Sequence, residues 1–209
     1  MNTSKNNNFT GIAIALAWPD TMCRQAGAWY DPIMRLTGIS KNYYYKVGHA
    51  AVILIENNSG KCRYFDFGRY HAPHGHGRVR DEETDHDLII QTKAQFNSKH
   101  QINNFVEILA ELQKNPSCHG TGQLHAAYCK ITFEGAYKKA KQMQENSPHR
   151  YGPFIWKGTN CSRFVRTTIL AGKPALKHLI KIQLPLTISP SPKGNVKGLD
   201  DYNIHPFLY

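Results

Sequence analysis

HAAVILIENNSGKCRYFDFG, residues 49 to 68, is the stretch that decides the fold class. HAAVILI (49–55) is apolar and rich in β-formers, ENNSG (56–60) gathers turn residues, and KCRYFDFG (61–68) alternates with aromatic side chains. Two β-rich runs joined by a short turn-rich connection predict an antiparallel hairpin. Pairing Glu56 with Lys61 sets position 49 opposite position 68. Residues two apart on a strand share a face, so Asp66 is expected on the same side as His49. A slip of one residue would put Asp66 on the opposite face.

Working outward, Ile12, Ile14 and Leu16 alternate with small residues and predict a first strand. The irregular stretch after it has room for a short helix at Pro32 to Leu36. Residues 69–91, RYHAPHGHGRVRDEETDHDLIIQ, lack helical period and are expected to form a long ordered loop or extended arm. Asn103 to Asn115 predicts a helix with Phe105, Ile108, Leu109 and Leu112 on one face and asparagine as its cap. Residues 123–131 suit a strand. Phe133 to Gln144 predicts a second amphipathic helix, with Phe133, Ala136, Tyr137, Ala140 and Met143 inward. A third helix is expected to open at Cys161, with Gly172 ending it and Pro174 preventing its return. Residues 1–8 are read as a flexible amino terminus, and 187–198 as a loop or linker to the carboxyl-terminal tail. These elements predict one α+β domain over 1–209, an antiparallel β-sheet packed against helices.

Composition narrows the function classes. The chain has 209 residues, enough for a core without disulfide staples. Its formal charge is +11, from 26 Lys and Arg against 15 Asp and Glu. Such charge suits nucleic acid, an anionic membrane surface or an acidic partner, or simply a solvated basic surface. No RNP, zinc-finger or helix-turn-helix pattern accompanies it, so no nucleic-acid partner is assigned. Five cysteines, at 23, 62, 118, 129 and 161, show no CxxC spacing and read as reduced thiols. The apolar run Gly11 to Trp18 has only Lys5 ahead of it and no small-residue cleavage pattern behind it, so it reads as a strand. The expected location is the cytoplasm, or outside the cell by a route that uses no cleavable signal. No stretch is long enough for a membrane-spanning helix.

The chemistry centres on GTNCSRFVRTTILAG, residues 158–172. A cysteine at a helix amino terminus meets unpaired N–H groups and the positive end of the helix dipole, which favour its thiolate. The same N–H groups are suited to an oxyanion hole, with Asn160 and Ser162 as supporting residues. The competing reading is a core thiol sharing a helical face with Val165 and Ile169. What favours the nucleophile is His49, a polar ring opening an otherwise apolar strand, with Asp66 on its side of the hairpin. Asp66 also has the plain alternative of a salt bridge to Arg63 or Arg69. Tyr64, Arg69, Tyr70 and His71 leave the same strand and are candidate substrate-binding residues. HAPHGHG, with His71, His74 and His76, fits no standard zinc spacing and is read as a substrate-facing lid, so no metal and no other cofactor is expected. Cys118 and His119 are a rival pair, but sequence neighbours seldom aim their side chains at each other.

GHAAVILI, its hairpin, and TNCSRFV more than a hundred residues later resemble the circularly permuted NlpC-like branch of papain-like cysteine hydrolases, a group that includes lecithin:retinol acyltransferase-like proteins. In ordinary papain-like chains the cysteine helix precedes the histidine strand; permuted members reverse the order, as here. The resemblance implies a cysteine helix packed on an antiparallel sheet and a Cys–His–polar triad at Cys161, His49 and Asp66. It implies attack on an amide, ester or thioester carbonyl of a peptide, amide or acyl-lipid substrate. A non-catalytic binding module on the same fold is the alternative.

Overall fold

The computed structural model describes residues 9–25, 27–38, 40–184 and 189–205. The chain runs β1 (Gly11–Trp18), β2 (Met22–Arg24), α1 (Asp31–Leu36), β3 (Ser40–Lys41), β4 (Tyr44–Lys46), β5 (His49–Glu56), β6 (Cys62–Gly68), β7 (His76–Arg80), α2 (Phe105–Lys114), β8 (Leu124–Ile131), α3 (Phe133–Glu145), β9 (His149–Arg150), α4 (Cys161–Ala171), α5 (Leu176–Gln183), α6 (Pro192–Lys197) and β10 (Asp200–His205). Seven strands form an antiparallel sheet in the order β10-β8-β1-β5-β6-β7-β9. β2, β4 and β3 make a small separate sheet.

Alternation along the central strands sorts the interior into two layers. Ala13, Ala15, Ala17, Ala50, Val52 and Leu54 turn to a layer completed by Phe133 and Ala136 of α3, Phe164, Val165 and Ile169 of α4, and Val196 of α6. Ile12, Ile14, Leu16, Ala51, Ile53 and Ile55 turn to the other layer, closed by α2 and the segment from Leu88 to Ile102. Alanines on the first face leave room for α4 to lie close to β5. Phe164 has no solvent exposure, and burying such a side chain contributes about 1.5–3 kcal/mol. The α+β class, with an antiparallel sheet packed against helices, is therefore observed.

The hairpin pairs Ala51 with Asp66 and Ile55 with Cys62. Extending that register sets Glu56 against Lys61, so Asp66 and His49 share a face as expected. α2 buries the four expected residues. Its N-cap Asn104 makes no capping bond; its side chain instead ties down the preceding segment through Gln95 N–H and Lys93 C=O.

Two expectations need correction. Residues 69–91 are not an unbroken loop or arm, because β7 lies within them and pairs Asp66 with Arg80 and Phe67 with Val79. In 187–198, expected as a loop or linker, Pro192–Lys197 forms α6. Ser191 caps it by accepting from Gly194 N–H, Pro192 occupies the first turn, and Val196 and Asn195 are buried. Residues 187–188 and the amino-terminal 1–8 lie outside the described residues. Among the described residues no helix is long and apolar enough to cross a membrane.

Candidate active site

α4 begins at Cys161 because Asn160 is extended (φ −146°, ψ 176°) and caps the helix, its Oδ1 accepting from Arg163 N–H at 2.9 Å. Asn160 Nδ2 donates to Ser189 Oγ at 2.7 Å, so both ends of this amide are engaged. Phe164 N–H donates to the Asn160 carbonyl. The N–H groups of Cys161 and Ser162 come earlier, where an α-helix offers them no internal acceptor. Ser162 Oγ stands 4.0 Å from Cys161 Sγ, and the Ser162 carbonyl accepts from Asn195 Nδ2 of α6. The helix mistaken for a loop therefore braces the start of α4.

His49 opens β5 at the end of the sheet where α4 starts. Gly48 before it is left-handed (φ +76°), and a Cβ there would fall 2.9 Å from the Trp18 carbonyl oxygen. The His49 ring stacks on Trp18 with centroids 5.9 Å apart. Its Nε2 meets Asp66 Oδ2 at 3.2 Å, and the Cys161 thiol is near enough for the ring to act on its ionisation. The Ala50 N–H also favours the Cys161 thiolate.

Asp66 is wholly buried. Arg80 holds it with two bonds, Nε to Oδ1 at 2.9 Å and a terminal nitrogen to Oδ2 at 2.6 Å, and Tyr64 OH donates to Oδ2 at 3.2 Å. Arg80 in turn lies over the Tyr70 ring at 3.8 Å and donates to the Ser117 carbonyl. Arg80 takes the salt-bridge role for which Arg63 and Arg69 were the candidates.

Burial alone would raise the Cys161 thiol, but hydrogen bonding to His49, the charge of His49 and the Ala50 N–H hold it below its ordinary value. Burial works against the His49 charge as well, yet its bonds to Asp66 and Cys161 raise it to about 9. Burial likewise works to raise the Asp66 carboxyl, and bonds from His49 and Arg80 keep it lowered. The arrangement favours a thiolate–imidazolium pair. Burial instead pushes Cys23, Cys62, Cys118 and Cys129 up to about 12.

A cavity of about 450 Å³ opens beside Cys161. Its wall includes Tyr30, Met34 and Tyr45 from the α1 and β2–β4 region, Tyr151 and Phe154, and Pro190 and Pro192 before and within α6. Asn160 and Ser162 also border it, whereas Tyr64, Arg69, Tyr70 and His71 do not. Tyr64 points inward to Asp66. Arg69 donates to the Arg24 and Gln25 carbonyls and lies over Tyr151, bracing the wall from behind. Tyr70 is sandwiched between Arg80 and His119, whose ring it stacks on at 4.5 Å. His71 is an exposed left-handed turn residue before β7. The rival Cys118 is buried, and burial lowers the His119 pKa. His76 Nδ1 engages the His74 carbonyl, and among the described residues no three His, Cys, Asp or Glu side chains are grouped to hold a metal.

Sequence reasoning missed Arg80 and the parts of the cavity wall supplied by residues 23–48 and 189–192. The signal for Arg80 was its place in HGRVR, a short alternating run next to the hairpin. The wall comes from short irregular segments that only tertiary packing assembles.

Residues 13–178 match the family model of Type VI secretion system effector TseH-like proteins. A solved crystal structure, of the Type VI secretion system effector TseH, is similar over 94% of this chain and 93% of its own, at 17% identity and a TM-score of 0.56. At that identity the likeness establishes a shared fold. No curated protein matches. The chain belongs to the Type VI secretion system effector TseH-like family.

Proposed function

We propose that this chain is an effector enzyme of the permuted papain-like, NlpC-like kind, a thiol hydrolase or acyltransferase with Cys161 as nucleophile. The observation that carries this reading is the buried His49–Asp66 pair acting on a buried thiol, Cys161, that borders a cavity at a helix amino terminus. In the proposed first step the Cys161 thiolate attacks a carbonyl carbon, and the new C–S bond leaves negative charge on the oxygen. The N–H groups of Cys161 and Ser162 are placed to receive that charge. Asn160 fixes their geometry by capping the helix and is a positioning residue, since both ends of its amide are engaged. The His49 imidazolium gives its proton to the leaving amine, alkoxide or thiolate as that bond breaks. Neutral His49 then takes a proton from water or a second acceptor, which displaces the acyl group and restores the thiolate. Asp66 holds the ring and stabilises its charged form, and Arg80 and Tyr64 hold Asp66. The family description supports export of the chain as a secretion-system effector.

The test is competitive alkylation with iodoacetamide, read residue by residue by mass spectrometry. Cys161 should label at neutral pH far faster than the other four cysteines, and His49→Ala should remove most of that advantage. Labelling of all five at similar rates would instead fit a binding module whose site does no chemistry.

A further inference from the structure

The two segments that supply Met34, Val47 and Phe154 to the cavity wall also carry exposed apolar side chains, and together these form a collar of the cleft's own segments. Leu36 is 89% exposed, Trp156 82% and Trp29 68%, with Tyr43, Val47 and Phe154 also well exposed. They belong to two segments, 22–47 and 151–157, that meet where Tyr30 packs edge-on against Phe154 at 5.1 Å. Met34, Val47 and Phe154 of these segments line the cavity itself. Exposed aromatic and aliphatic side chains on the segments that wall a cleft mark an interaction surface.

Charge indicates what that surface meets. The same segments carry Arg24, Arg35, Lys41, Lys46 and Lys157 against one acid, Asp31. Asp31 is buried, accepting from Tyr45 OH at 2.6 Å and Ala28 N–H at 2.9 Å. The five cations are exposed. Lys46 pairs with Asp20, and Arg35 lies over the Tyr43 ring while donating to Gln25. Tryptophan and tyrosine beside lysine and arginine suit the boundary between lipid headgroups and acyl chains, where rings sit at headgroup level and cations reach phosphates. A soluble protein partner would be expected to answer five cations with acids. A bilayer answers both the charge and the apolar protrusions.

We propose that this collar seats on an anionic lipid bilayer, with the cleft facing the lipid, so that the carbonyl offered to Cys161 is that of a lipid acyl ester or amide. The apolar cavity beside the sulfur then takes the acyl chain. The substrate half rests on the thiol-hydrolase reading, whereas the docking half does not.

Vesicle co-sedimentation of the Cys161→Ala protein tests docking without turnover. Binding to vesicles of phosphatidylglycerol and phosphatidylcholine should exceed binding to pure phosphatidylcholine by at least roughly tenfold at low salt, and salt should weaken it. Trp29→Ser with Trp156→Ser, and separately Lys41→Glu with Lys157→Glu, should each abolish most of the difference; all four side chains are exposed, so the fold should survive. Equal binding to both vesicles, binding unaffected by these changes, or a dimer that the tryptophan changes dissociate in place of vesicle binding would overturn docking. Fatty-acid release from the anionic vesicles by wild type but not by Cys161→Ala would support the substrate half. Vesicle binding without release, by a protein whose Cys161 alkylates rapidly, would overturn that half alone. Vesicle binding with slow Cys161 alkylation would leave docking standing and remove the thiol-hydrolase reading.

Discussion

Arg80→Met removes the guanidinium that holds Asp66 inside the sheet while keeping an unbranched side chain of comparable length. Asp66 has no solvent exposure, and Arg80 supplies two of its four bonds, including the shortest at 2.6 Å. The remaining partners, His49 and Tyr64, both stand at 3.2 Å. Removing one partner of a buried ion pair costs about 3–5 kcal/mol, and because the His49 imidazolium still faces Asp66 the lower end, about 3 kcal/mol, is expected. For a chain of this length that is a fall in melting temperature of roughly 10 °C. Urea unfolding should show a lower midpoint with an unchanged slope, the mark of lost stability and not of an altered denatured state. Adding Asp66→Asn to Arg80→Met removes the stranded charge, and the double variant should recover about half of the loss. A loss below about 1 kcal/mol for Arg80→Met, or a double variant as unstable as the sum of the two single changes, would refute the claim that the pair is held by desolvated charge.

Asn160→Ala should cost about 1–2 kcal/mol in urea unfolding, because it removes the cap on Arg163 N–H and the tie to Ser189 together; a neutral result would show that α4 does not depend on that cap. The raised pKa of His49 fixes the sign of one limb of the pH profile. His49 is protonated below about 9 and loses the proton it gives to the leaving group above that value. Turnover of a chromogenic amide should therefore fall as pH rises through about 9, while alkylation of Cys161, which needs only the thiolate, should not fall there. A turnover profile still rising above that pH would contradict the acid role of His49.

Much of the site's geometry was legible because it depends on local rules. Strand alternation and a short turn set the hairpin register, and that register alone places Asp66 on the same face as His49. A polar residue at the start of an apolar strand and a cysteine after an asparagine cap were local signals too. The clamp on Asp66 was not legible, since Arg80 lies in a run of charged residues and is buried only because β7 pairs with β6. Tyr64, Arg69, Tyr70 and His71 lie near Asp66 along the chain, whereas the cavity beside Cys161 is walled by segments whose short strands and exposed residues carry little periodicity. In α6 the Ser191–Pro192 start signal was present, but the glycine and prolines around it masked the helix.

The proposed mechanism requires His49 to keep Cys161 ionised at neutral pH. Ultraviolet thiolate absorbance, measured against pH as the difference between wild type and Cys161→Ala, isolates the titration of that one sulfur. The midpoint should lie well below the ordinary cysteine value of about 8.5 and move up to or beyond that value in His49→Ala. A wild-type midpoint at or above the ordinary value, or one that His49→Ala leaves in place, would contradict it.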